Sequence, residues 1–258
     1  MGAHPTLASM AERSVLITGA SRGIGAATAR LFAAQGDWVA VHFNTARDLA
    51  EEVAAGLPGD GHTVVGGALE DPEAIKRAVD EAAEALDGRI DVLVNNAAIF
   101  EPHPIDGTSY EEWQRLFGRT IQVNLVGAAN ATWCALQHMP DGGRIVNVSS
   151  RGAFRGEPGQ PAYGASKAGL IAFGQSLAKH LGPRRIAVAS VAPGFTETAM
   201  ARDALEGAAG DARRAESPLN RVATPEEIGQ AIVFLAGPEA EWATGSVLDL
   251  NGASYLRM

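Results

Sequence analysis

Tyr163 and Lys167 stand four residues apart in the run Tyr-Gly-Ala-Ser-Lys, a spacing that puts a phenol and an ammonium on one face of a helix. A free phenol titrates near pH ~10 and is a poor base at neutral pH. A fixed cation a few ångströms away favours the phenolate, so the pair predicts a Tyr163 tuned down towards acid/base work. Ser150 precedes Tyr163 by thirteen residues and follows the β-like run Arg144–Ser149. A hydroxyl at that strand end can converge with the helix start on one carbonyl oxygen and donate to the charge developing there. Ser149 is expected to make local backbone bonds instead.

A second constellation lies near the beginning, in Thr18-Gly19-Ala20-Ser21-Arg22-Gly23-Ile24-Gly25. Gly19 suits a tight turn, and Gly23 and Gly25 permit close approach of main chain and helix. A helix starting there offers free N–H groups and a partial positive charge to a pyrophosphate. The glycine spacing, three residues then one, differs from the common Gly-x-Gly-x-x-Gly fingerprint.

Short β-branched runs alternate with longer Ala-rich helical patterns, and these must position both constellations. Strands are predicted at Ser14–Thr18, Trp38–Phe43, Thr63–Gly66, Val92–Asn95, Arg144–Ser149, Ile186–Ala192 and Ser246–Leu250. Helices are predicted at Gly23–Gly36, Arg47–Leu57, Pro72–Asp87, Tyr110–Met139, Tyr163–Leu181 and Pro225–Leu235. The fold class is α/β, a single domain built on a doubly wound parallel sheet of about seven strands flanked by helices. Residues 1–13 read as a disordered leader and 14–258 as the domain. The rhythm lapses only at Phe195–Arg221, a Gly-, Ala- and charge-rich stretch expected to be a substrate lid.

Acids outnumber bases, 30 to 21, and no Lys/Arg stripe is present to track a nucleic-acid backbone. Cys134 is alone, so neither an internal disulfide nor a Cys-based metal site is expected, and the six His residues lack ligand spacing. No secretory start or bilayer-length apolar run is read, so the expected location is the cytoplasm, without a membrane partner. Trp133 reads as core or subunit contact.

From Ser14 to Gly252 the chain resembles the short-chain dehydrogenase/reductase family. The resemblance rests on the Gly-rich turn, Asn95-Asn96-Ala97-Ala98, Asn124, Ser150, Tyr163 with Lys167, and Pro193-Gly194. Pro218-Leu219-Asn220-Arg221 and Pro225-Glu226-Glu227-Ile228 resemble its bacterial 3-oxoacyl-carrier-protein reductase branch. It implies a Rossmann-type fold and hydride transfer between a nicotinamide cofactor and a small carbonyl or alcohol substrate. Tyr163 would be the general acid/base, Ser150 would steady the oxygen, and Lys167 would tune Tyr163 and anchor the ribose. Asn124 would hold a water linking Lys167 to solvent; read structurally, it caps or kinks its helix. Cofactor contacts are implied for Gly19, Ser21, Arg22, Gly23, Ile24, Gly25, Asn44, Thr45, Leu69, Asn96, Tyr163, Lys167, Pro193, Gly194, Thr196 and Thr198. The helices Tyr110–Met139 and Tyr163–Leu181 would build a homotetramer. The chain departs from the family at Ala98, Ala68, Ala189 and Asn251-Gly252-Ala253, positions that bear on adenine affinity and substrate fit.

NADP(H) is expected over NAD(H). An acid at the end of the second strand would bind the ribose 2′-hydroxyl and repel a 2′-phosphate. That strand runs into His42-Phe43-Asn44-Thr45 without one, and Asp37 lies at its opposite end. Arg22 supplies a cation and a fork of donors, with Asn44, Thr45 and Arg47 nearby. The competing function is a catalytically silent dinucleotide sensor or scaffold of the same fold. The complete Ser150, Tyr163 and Lys167 set argues for turnover.

Overall fold

Runs such as Val15-Leu16-Ile17 and Val92-Leu93-Val94 are apolar at every position, as strands covered on both faces require. The computed structural model describes residues 12–257. Among them seven strands form one parallel sheet: β1 (Ser14–Ile17), β2 (Trp38–Phe43), β3 (Thr63–Gly66), β4 (Val92–Asn95), β5 (Arg144–Val148), β6 (Ala187–Pro193) and β7 (Val247–Leu250). Their spatial order is β3-β2-β1-β4-β5-β6-β7, with Val15 in register with both Val39 and Val92. The order reverses between β1 and β4, where ligands settle beyond the carboxyl ends of open α/β sheets.

Alternate residues of each strand feed two cores. Val15 and Ile17 join Phe32, Val41, Ile228 and Ile232 beneath α1 (Gly23–Ala33), α2 (Arg47–Ala55) and the late helix Pro225–Leu235. Leu16 and Leu93 join Ile75, Val79, Ile145 and Leu181 on the opposite face. That face carries α3 (Pro72–Ala85), α4 (Tyr110–Ile121), α5 (Ala128–Leu136) and α7 (Pro161–Leu181); the single turn α6 (Gly152–Arg155) precedes α7. Each fully buried Leu or Ile contributes roughly 1.5–3 kcal/mol, so both helical layers are held firmly to the sheet.

The helix-start signals operate as read. Asp71 accepts from Glu73 N and Ala74 N ahead of α3, and Thr224 and Glu227 form a reciprocal capping box at α9 (Pro225–Leu235). No described helix is long and apolar enough to cross a membrane.

The largest departures from expectation fall in three elements. The predicted helix Tyr110–Met139 is divided by a π segment, Gln122–Gly127, and ends at Leu136. The helix predicted from Tyr163 starts two residues earlier, because Pro161 can occupy the first helical position. The expected lid Phe195–Arg221 contains two short 3-10 turns and a full helix, α8 (Gly207–Ala215). Residues 1–11 of the expected leader lie outside the described residues, but Arg13 is anchored. Its guanidinium donates to Asp37 Oδ2 at 2.6 Å and to the Ala236 carbonyl at 2.8 Å. Trp133, read as core or subunit contact, is 62% exposed in this chain.

Candidate active site

The Gly-rich turn leaves β1 and is gripped from below. Gly19 has φ +65° and Gly23 φ +56°, which glycine adopts without strain. Gly19 N–H donates to His42 Nδ1 at 3.1 Å, and Asn96 Nδ2 donates to the carbonyls of Thr18 and Gly19 at 2.9 and 3.0 Å. A Cβ on Gly25 would come within 2.6 Å of Asn96 Nδ2 and the Gly19 oxygen. Gly25 therefore makes room for the turn's own packing. No side chain caps α1, so its first N–H groups stay available beside Ser21, Arg22, Gly23 and Ile24.

From that turn a cavity of about 690 Å³ crosses the carboxyl edge of the sheet. Its β2 side carries Arg22, Asn44 and Thr45, and Leu69 lines it from beyond β3. Asn96 lies beneath, and Pro193, Gly194, Thr196 and Thr198 bound it after β6. Ser150, Tyr163 and Lys167 meet in the same space. Of the catalytic and cofactor-contact residues expected from sequence, Gly25 and Asn124 do not line it, and neither does Arg47, expected near the 2′-phosphate. A Cβ on Gly23 would lie 3.2 Å from Thr198 Cγ2, so the turn and the β6 exit close upon each other. Length, donors and glycine approach fit a nicotinamide dinucleotide laid across the edge.

Tyr163 keeps part of its surface open to the cavity, and its ring packs edge-on against Phe100 at 4.8 Å. Burial pushes the phenol up to about 12; a hydrogen bond with Ser150 pulls the other way, and the charge of Glu157 adds to the rise. The sequence expectation of a phenol lowered by Lys167 is thus not met. The reason is desolvation. Lys167 is 2% exposed, its Nζ donates to the Val148 carbonyl at 2.7 Å, and burial lowers its own pKa to about 8. Its Nζ lies 5.7 Å from the Tyr163 ring centroid. Ser150 Oγ accepts from Gly152 N at 3.0 Å, and Ser149 Oγ donates to the Lys167 carbonyl at 2.9 Å, a long-range bond where a local one was expected.

Asn124 is fully buried within the π segment. Its Oδ1 accepts from Ile99 N at 2.8 Å, and its Nδ2 donates to the Ile99 carbonyl and to Ser166 Oγ at 3.0 and 3.2 Å. It ties the loop after β4 to α7. Sequence reasoning missed Phe100 and Glu157, which line the cavity near Tyr163; Phe195 and Met200 also line it, within the expected lid. Single apolar or acidic residues in irregular segments carry no periodic signal.

The parallel sheet with its switch-point cavity and the Ser, Tyr and Lys cluster define a dinucleotide-dependent oxidoreductase, and the chain belongs to the short-chain dehydrogenase/reductase family. A family model described as enoyl-(acyl carrier protein) reductase matches residues 19–252. The chain is 41% identical to the 3-oxoacyl-[acyl-carrier-protein] reductase FabG of Thermotoga maritima, over 92% of this chain and 95% of that one. Among solved structures it resembles a dehydrogenase/reductase from Sinorhizobium meliloti 1021 (34% identity, 96% of each chain, TM-score 0.87). It also resembles a short chain dehydrogenase from Burkholderia cenocepacia J2315 in complex with NADP (36% identity, 94% and 97% of the chains, TM-score 0.85). The protein is an NAD(P)-dependent oxidoreductase acting on CH–OH or C=O groups.

Proposed function

We propose that this protein reduces a ketone with NADPH, Tyr163 donating the proton. The observation that carries this reading is the meeting of Ser150, Tyr163 and Lys167 in one cavity with Arg22, Asn44 and Thr45. When bound, the dinucleotide supplies the hydride that forms the new C–H bond. The substrate oxygen sits against the Ser150 hydroxyl, which donates to it as negative charge develops. Tyr163 gives up its O–H proton to that oxygen, yielding the alcohol. A phenol raised to about 12 enters the step protonated, which suits the reducing direction. Lys167, lowered to about 8, can pass a proton back towards Tyr163 at neutral pH. The Asn124 side chain is bonded to Ile99 and Ser166 and would reach the proposed relay only through that network.

The preference for NADP(H) rests on Arg22, exposed at the cavity rim, and on the lack of an acid among Asn44, Thr45 and Ala46. Asp37, the acid just before β2, is 3% exposed and held by Arg13 at the opposite end of that strand. The single domain begins at the Arg13 anchor, with residues 195–221 as its substrate cover. Self-association through α4, α5 and α7 into a tetramer is supported by the exposed Trp133 on α5. The test is nicotinamide absorbance decay with a panel of ketones and quinones and both cofactors. Turnover of at least one member, with NADPH the more efficient, is expected; no turnover with any of them would favour a silent binder. Equal or better efficiency with NADH would remove the cofactor preference.

A further inference from the structure

His103 lies in the loop between β4 and α4 and does not line the cavity, yet it is fully buried and bonded on every side. Its Nδ1 is 2.7 Å from the Glu101 carbonyl oxygen, and its Nε2 is 3.1 Å from Ala162 N. A carbonyl only accepts and a backbone N–H only donates. These partners therefore assign the hydrogen to Nδ1 and a bare lone pair to Nε2. The His103 backbone N–H donates to the Gly159 carbonyl at 2.8 Å, and its ring meets Phe117 of α4 edge-on.

Ala162 is the second residue of α7. The first N–H groups of a helix have no intrahelical acceptor. Pro161 carries none, and Gln160 supplies no side-chain cap. His103 fills that place from 59 residues away. The next residue is Tyr163, and Phe100 of the same loop already packs on its ring.

We propose that His103 is a positioning residue for Tyr163: its Nε2 caps α7 in trans and fixes the first turn so that the phenol oxygen faces Ser150. The proposal rests on the reading of Tyr163 as proton donor. Small misplacements of a reacting group are costly in rate even when binding is untouched. His103→Leu removes the acceptor, whereas His103→Gln returns one through its amide oxygen.

The experiment compares both variants and Tyr163→Phe with the native chain, using NADPH and a ketone found by the panel, rates being taken per folded molecule. His103→Leu is expected to lower kcat about tenfold and to enlarge the solvent deuterium effect, with the NADPH dissociation constant unchanged. His103→Gln is expected to recover most of that loss. A purely structural role would lower Tm and leave the kcat of folded protein and its isotope effect alone, and that result overturns the proposal. If His103→Leu does not fold, His103→Gln decides: near-native kcat supports the cap, and a tenfold loss contradicts it. An inactive Tyr163→Phe beside a native-like His103→Leu removes only this inference. An active Tyr163→Phe removes both it and the reading beneath it.

Discussion

The two flanks of the cavity are built by different means. On the cofactor flank, the turn after β1 is tied to neighbouring strand ends by main-chain groups and the half-buried Asn96 amide. Gly19 N–H and Ala20 N–H both end on His42, and Asn96 holds two carbonyls of the turn. On the substrate flank, residues 195–221 make one isolated bridge, Thr196 to Ala223, and their two 3-10 turns bury no residue. Ion pairs and a bond from Ser217 Oγ to the Gly252 carbonyl secure much of the rest. Glu216 meets Arg151, Arg155 and Arg213, and Phe195 lies between the guanidiniums of Arg151 and Arg213 at 5.1 and 5.0 Å. Burial works to raise the Glu216 carboxyl, but hydrogen bonds from Arg213 and Arg151 outweigh it and leave it below the usual carboxylate range. A cradle of main-chain bonds continuous with the sheet opens only when the sheet edge opens, whereas a clasp of side-chain ion pairs can exchange locally. On the proposed function, the first flank would hold a constant ligand portion and the second would admit and cover a variable one.

Acid should strain the first flank most. Burial lowers the pKa of His42 to about 4 from an ordinary 6.5, against the smaller opposing effect of the Gly67 carbonyl. The folded chain keeps His42 neutral, while the unfolded chain takes up a proton near 6.5. The stability from neutral His42 is therefore complete above that value and is lost as pH falls towards 4. The expected loss is about 3 kcal/mol across that window. Urea midpoints at pH 7, 5 and 4 check it, with His42→Asn as the control that cannot titrate. Equal acid sensitivity in native and variant chains would contradict the assignment.

Arg22→Ala tests the same flank without touching its backbone. A charge-assisted bond contributes on the order of 1.5–3 kcal/mol, so efficiency with NADPH should fall about tenfold or more. NADH use should hardly change. A matching loss with both cofactors would mean that Arg22 shapes the turn and does not read the 2′-phosphate.

The clasp should yield a smaller effect. Glu216→Gln removes the charge shared by three arginines and should raise KM for the carbonyl substrate about fivefold, the scale of a partly exposed pair. NADPH affinity should stay constant. Hydrogen exchange in α8 should slow when cofactor and a substrate analogue are added together, and less so in the variant. If protection in α8 never changes, residues 195–221 are an ordinary surface segment.

The same contrast explains what could be read before the structure. β2, β3, β4 and α9 lie at their expected limits, because apolar runs, Thr224-Pro225 and turn residues are local signals. The Gly-rich turn and the Tyr163 and Lys167 spacing are local too. α8 escaped notice because Gly207, Gly210 and scattered arginines mask its periodicity. The π segment has no marker of its own; it coincides with the bonds between Asn124 and Ile99, a loop 25 residues away. Desolvation of Tyr163 depends on Phe100 and other distant neighbours, so a spacing argument gave the pKa shift the wrong sign.

Tyr163 as the proton donor is checked by single-turnover reduction of a ketone by NADPH with Tyr163→Phe. The substitution removes one oxygen and leaves the edge-on packing with Phe100 in place. The account predicts unchanged NADPH binding and a rate lower by roughly 10²–10⁴, the scale of a lost general acid. A single-turnover rate near that of the native chain would contradict it.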